Sequence, residues 1–354
     1  MDKSAGAALN LIRRVVDENC GIDQQLLSHA NWKKVMDLCL LQGVSGICFE
    51  AFDKLEEGCR PPKFLLIEWF GMMNLHEHLY KQHEATLRQL AEFYKQEGIR
   101  MLLLKGYGLS LFWPKPEHRP VGDIDCYNFG QQQLADKRIR EKFGIEIDNS
   151  HHKHTVFQFK GAIVENHYSF LNVHGHRSTA EIESILEEEV KEGCTEDCRL
   201  RNVYYPSVRF NSLYLLRHNA EHFASVDINL RQVLDWGFFV RANDVDWDWL
   251  LCQLDKVGMK QYLAVLNAIC VRYLGFDASL FPALDVDERL VERSVNDILS
   301  PEFQKERHKN ALAEIAYRFK RWNANRWKHD MVYKESIWQS FCSQVWSHVL
   351  KPSL

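Results

Sequence analysis

Val121-Gly122-Asp123-Ile124-Asp125-Cys126-Tyr127 decides how this chain is read, together with the run Leu102-Leu103-Leu104-Lys105-Gly106 that precedes it. Side chains alternate along an extended segment, so Asp123 and Asp125 leave one face while Ile124 turns to the other, toward a core. Two carboxylates held that close repel each other unless a positive charge sits between them. Oxygen donors match a hard divalent ion, Mg²⁺ or Mn²⁺, completed by water and substrate phosphates. An Asp-x-Asp pair is a weak signal by itself, because many such pairs are solvated turn residues. Its weight comes from its surroundings.

Those surroundings read as a small mixed sheet. Ile99 to Leu104 is a short apolar run bounded by Gly98 and Gly106, the pattern of a buried strand. Gly108 to Phe112 fits a short helix, Pro114 to Pro120 a loop, and Gln131 to Phe143 a helix. Thr155-Val156-Phe157-Gln158-Phe159 and Ala162-Ile163-Val164-Glu165-Asn166-His167-Tyr168 are β-rich, and Lys160-Gly161 between them is a hairpin turn. On either side the chain is helical. Asn31 caps a helix that begins at Trp32. Pro61-Pro62 opens a long helix to about Gln96, with Leu65, Trp69, Met72, Leu75, Leu79, Leu87, Leu90 and Phe93 as its buried stripe. From about Glu181 helices return: Asn211 to Phe223, Leu230 to Val240, Trp247 to Val257 and Tyr262 to Tyr273, then a basic, aromatic end with Lys320, Arg321, Trp322, Arg326, Trp327 and Lys328.

A chain of 354 residues, 46% hydrophobic and 26% charged, has the composition of a soluble globular protein with room for two or three structural units. A net charge of −4 supplies no field for gripping duplex DNA. The ten cysteines are scattered, and the close pair Cys194 and Cys198 has no matching second pair, so no structural zinc site is expected from them. With no apolar leader and no membrane-spanning run, the expectation is a reduced, cytoplasmic protein without a membrane partner.

Taken in order, Leu103-Leu104-Lys105-Gly106, Arg119-Pro120-Val121-Gly122-Asp123-Ile124-Asp125 and Val164-Glu165-Asn166-His167-Tyr168 resemble the uncharacterised nucleotidyltransferase family of the polymerase-β-like superfamily. The likeness runs on through His218, His222, Arg231, Asp235 and Val245-Asp246-Trp247, from about residue 30 to 275. It implies an α+β fold: a nucleotidyltransferase core with a small mixed sheet over residues 98–205, flanked by an N-terminal helical region, 1–97, and a C-terminal one, 206–354. It implies Asp123, Asp125 and Glu165 as catalytic metal ligands for Mg²⁺ or Mn²⁺, and Gly106 with its neighbours as the triphosphate holder. The chain departs from the wider superfamily in having Lys105-Gly106-Tyr107 where Gly-Ser is usual, and in a longer run from Gly106 to Asp123.

The expected reaction moves an NMP group from an NTP to an acceptor hydroxyl and releases pyrophosphate. The acceptor is open among small molecules, proteins and RNA. Two other readings stand beside it: a nucleotide-binding or regulatory protein that keeps the fold without the chemistry, and a toxin-like transferase acting on tRNA or protein. Lys105 is either a phosphate contact or a solvated strand end, and Gly106 and Gly108 let backbone N–H groups approach phosphate or simply turn the chain. Arg119 is a nucleotide contact or a partner for Asp123 and Asp125, the second being favoured. His151, His152, His154, His167, His174 and His176 have the look of a transition-metal cluster, but the strand-and-loop explanation outweighs zinc, and His167 is given at most an orienting role. His218 and His222, four apart on a helix, are assigned to packing, while Arg231 and Asp235, also four apart, pair along theirs. The basic C-terminal segment is read as the charged face of an amphipathic helix ahead of an RNA grip.

Overall fold

Local sequence signals account for most of the helices. The Asn31 side chain accepts from the Lys34 N–H at 3.2 Å and opens the helix Trp32–Leu41. The expected long helix runs Lys63–Gln96 and stops before Gly98, whose φ is 71°. Val208–Ser225, Leu230–Ala242, Trp247–Val257 and Lys260–Leu274 correspond to the four helices expected in the second half. This computed structural model describes residues 2–173, 176–196, 200–225, 227–303 and 311–336. His174 and Cys198, both singled out in the sequence, lie outside the described residues.

The buried stripe of the long helix differs from the expected one. Leu75 and Leu79 are exposed (56% and 48%), and the buried seam instead passes through Leu65, Trp69, Met73, Tyr80, His83, Leu87, Leu90 and Tyr94. Hydropathy ranks Tyr80 and His83 below leucine, yet both are amphipathic, and Tyr80 buries with its hydroxyl matched. The Tyr80 hydroxyl meets Ser110 Oγ at 2.8 Å, and its ring stacks on Tyr107 at a centroid distance of 5.3 Å.

Contacts group the described chain into two units, one from residues 2–76, 218–243 and 254–334, the other from 77–217, 244–253 and 335–336. The first is helical. Within it Trp69 donates to the Ser45 carbonyl, Trp236 donates to Asn267, and the buried Lys328 pairs with Asp297.

The second unit holds a six-stranded mixed sheet, so the fold is α+β. Its strands are β1 (Met101–Leu103), β2 (Ile124–Tyr127), β3 (His154–Phe159), β4 (Ala162–His167), β5 (Thr195–Glu196) and β6 (Val203–Tyr205), in the order β3-β4-β2-β1-β6-β5. β2 runs parallel to β4 and β1 parallel to β6, while β1/β2, β3/β4 and β5/β6 are antiparallel. Lys160 and Gly161 both have positive φ, 48° and 90°, and form the two-residue turn expected between β3 and β4. β5 and β6 are additions to the sequence reading. β6 is a three-residue run between Asn202, at φ 70°, and Pro206, too short for periodicity to reveal.

One face of the sheet is the core. Met101, Leu103, Ile124, Cys126, Val164, Phe157 and Phe159 pack with Leu87, Leu90 and Tyr94 of the long helix and with Ala135 and Ile139 of Gln132–Phe143. The register Asp125↔Glu165, Tyr127↔His167 and His154↔His167 gathers the chemistry-bearing side chains on the opposite face.

Candidate functional site

The site begins where β1 ends. The Leu104 N–H donates to the Asp125 carbonyl at 3.0 Å, carrying the antiparallel pairing one residue past the strand. The chain then reverses at Gly106, whose φ of 63° and ψ of −111° is open to glycine and strained for other residues. A Cβ at Gly106 would also stand 3.4 Å from the Asp123 carbonyl oxygen. This tight return leaves Lys105 over the carboxylates. Lys105 Nζ donates to Asp125 Oδ1 at 2.8 Å.

Asp125 is 1% exposed, and its Oδ1 also meets His167 Nε2 at 3.1 Å. Its Oδ2 is buried with no hydrogen-bond partner. Asp123 lies just before β2 and Glu165 stands opposite Asp125 on β4. One carboxylate oxygen from each of Asp123, Asp125 and Glu165 can be chosen so that all lie within 4.8 Å of one another, a group able to hold a metal ion. Ligating atoms of His154, Glu165 and His167 form a second such group within the same limit.

The proton affinities diverge as crowded charges require. Burial and then the charge of Asp125 raise the Asp123 pKa. Burial works in the same direction on Asp125, but the Lys105 charge and the His167 hydrogen bond outweigh it and hold that carboxyl far below the usual range. Glu165 also ends below its ordinary value, its burial outweighed by the hydrogen bond from His167. Burial disfavours the Lys105 cation, and the neighbouring Asp125 more than restores it. Among the histidines, burial pushes His154 down to about 4, while on His167 the bonds to Asp125 and Glu165 overcome burial and raise the pKa.

Asp123, Asp125, Glu165 and Lys105 therefore converge, with Gly106 forming the turn beside them. Gly108 has a packing explanation of its own, because a Cβ there would sit 3.3 Å from Cε1 of Tyr205. Arg119 is buried, and its Nη1 donates to the Pro120 carbonyl at 3.0 Å. His218 and His222 meet edge to face at 4.6 Å, and the Arg231 side chain lies along Gly43, both in the helical unit. At the basic C-terminal end, Arg293 covers the Trp327 ring at 4.2 Å and Lys328 is 1% exposed, so these two residues serve the helical unit instead of a solvated face.

The structure sets His154 and His167 beside Glu165. Their signal was strand spacing: His167 follows Glu165 by two residues, and a hairpin centred on Lys160-Gly161 sets His154 opposite His167. Sequence reasoning missed Glu183, which is buried and accepts from Ser169 Oγ at 2.7 Å and from the N–H groups of Phe170 and Leu171 at 2.8 and 2.9 Å. Glu183 thereby fixes the loop that follows β4.

The sequence model of a family described as "uncharacterised nucleotidyltransferase" matches residues 28–275, and the chain belongs to that family. No curated protein and no solved structure matches it.

Proposed function

We propose that this member of the uncharacterised nucleotidyltransferase family transfers a nucleoside monophosphate from an NTP to an acceptor hydroxyl, with Asp123, Asp125 and Glu165 as its metal-binding catalytic residues. The observation that carries this reading is the convergence of three carboxylate oxygens around Asp125, whose Oδ2 is buried without a partner. An all-oxygen donor set of high negative charge fits Mg²⁺ or Mn²⁺. When bound, such an ion supplies charge neutralisation for the triphosphate and lowers the pKa of the attacking hydroxyl.

The chain's own residues do the positioning. Lys105, already at the carboxylates, would meet a phosphate oxygen there as a point charge. The reversed backbone at Gly106, continuing through Gly108, lets N–H groups approach the triphosphate, and the buried Arg119, on the Pro120 carbonyl, would support the nucleotide by holding the loop before β2. The acceptor oxygen forms a bond to the α-phosphorus, the bond from that phosphorus to the pyrophosphate oxygen breaks, and the hydroxyl proton passes to Glu165, which like Asp123 is only half-buried, whereas Asp125 is 1% exposed.

Calorimetric titration of each NTP, with and without Mg²⁺, tests this on the wild type and on Asp123→Ala/Asp125→Ala. Mg²⁺-dependent binding that disappears in the double variant is the expected result. Binding indifferent to Mg²⁺, or unaffected by the two substitutions, would overturn it in favour of a protein that keeps the fold without the chemistry. Among the described residues no helix is long and apolar enough to cross a membrane, and the acceptor is sought among small molecules, proteins and RNA.

A further inference from the structure

We propose that His154, Glu165 and His167 form a second cation site, which shares Glu165 with the carboxylate trio and is selective for Zn²⁺. Three observations carry it. The spacing suits one tetrahedral ion, since His154 Nδ1 and His167 Nε2 lie 3.4 and 3.5 Å from the same oxygen, Glu165 Oε2. Ligands about 2.1 Å from a tetrahedral ion stand roughly 3.4 Å apart.

The second observation is how His167 is held. It is fully buried, and its Nδ1 lies 3.1 Å from the Ser169 carbonyl, which can only accept, so Nδ1 carries the proton. That bond turns Nε2 toward Asp125 and Glu165, as the outer hydrogen bond of a metal-binding histidine does. Glu183 then locks the Ser169–Leu171 backbone in place. Three successive layers thus aim one nitrogen at a pair of carboxylates, where its 3.1 Å contact with Asp125 Oδ1 would give way to an ion held with Glu165.

The third is His154. It is 6% exposed, and its Nδ1 is buried and makes no hydrogen bond while facing Glu165. Burying a polar nitrogen without a hydrogen bond is costly, and a coordinate bond would offset that cost. Two imidazole nitrogens and one carboxylate select a borderline ion over Mg²⁺, and this set leaves a fourth position for water. Glu165 is common to both groups, whereas His154 and His167 belong to the nitrogen set alone. This inference does not rest on nucleotidyl transfer.

The test titrates Zn²⁺ by calorimetry, and Co²⁺ by its visible d–d absorption, into the tag-free full chain in millimolar Mg²⁺. The expected result is one ion per chain, visible bands without the near-ultraviolet charge transfer of a cysteine thiolate, and at least about tenfold weaker Zn²⁺ binding in both His154→Ala and His154→Gln. Thermal unfolding confirms that those variants fold, and Asp123→Ala keeps the zinc affinity while losing Mg²⁺-dependent nucleotide binding. Stoichiometric binding absent from the wild type, or unchanged in both His154 variants, overturns the proposal. A chain that binds zinc as described but no nucleotide would overturn the transferase reading and leave this one standing.

Discussion

Lys105 does at the residue scale what a bound cation would do: it balances the carboxylates crowded around Asp125. Removing it strands a buried charge, and breaking a buried ion pair from one side costs about 3–5 kcal/mol. Lys105→Met is therefore expected to lower the unfolding free energy by roughly 3 kcal/mol in urea titration; an unmoved midpoint would mean that solvent already balances the site. Asp125 has a folded pKa held below its ordinary value, so the stability it contributes is present above the ordinary carboxylate range and lost as pH falls through the folded value. The stability gap between wild type and Asp125→Asn should be level down to about pH 4 and narrow below it, as read from urea midpoints at successive pH values. Asp123 and Asp125 were legible as a pair because alternation along a strand is a property of neighbours in sequence. The Lys105 contact was not, because it depends on a reversal at Gly106 that sequence leaves undecided between phosphate holding and turn making.

At the scale of elements, the β3–β4 hairpin and the loop after it make the site. The turn chemistry of Lys160-Gly161 fixes register, and a slip of one residue would send Glu165, His167 and His154 to the core face. Downstream, Glu183 uses both carboxylate oxygens to accept from the Ser169–Leu171 loop. In Glu183→Gln an NH₂ group replaces one of those acceptors and faces a donor, with an expected loss of about 1–3 kcal/mol in thermal or urea unfolding. A variant as stable as wild type would show that the loop keeps its place without this clamp. The helix Lys63–Gln96 teaches the complementary lesson. Its existence and ends were legible from Pro62 and Gly98, but its buried face was misjudged at Leu75 and Leu79. Which stripe of a helix is buried depends on what polar partner awaits a residue such as Tyr80, and Ser110 lies far along the chain.

Across the whole molecule, contacts follow space and not chain order: each unit is assembled from separated segments, and residues 98–205 fall entirely within the one that holds the sheet. The other unit has its own buried pair, Lys328 with Asp297, whose carboxyl is raised by burial despite the lysine. Lys328→Met should cost about 3–5 kcal/mol of stability in urea unfolding, while Zn²⁺ affinity measured well below the transition stays as in wild type; a parallel loss of zinc binding would contradict a site contained in the sheet unit. By itself the sequence determined most of the helices, the hairpin turn, the Asp123–Asp125 face and the likeness that the family match bears out, since capping, alternation and turn chemistry act over a few residues. Only the tertiary structure decided that β6 flanks β1, that Lys105 folds back onto Asp125, and that His154 and His167 share Glu165. Those pairings join residues tens of positions apart, and they exist only once the sheet has chosen its strand order and register.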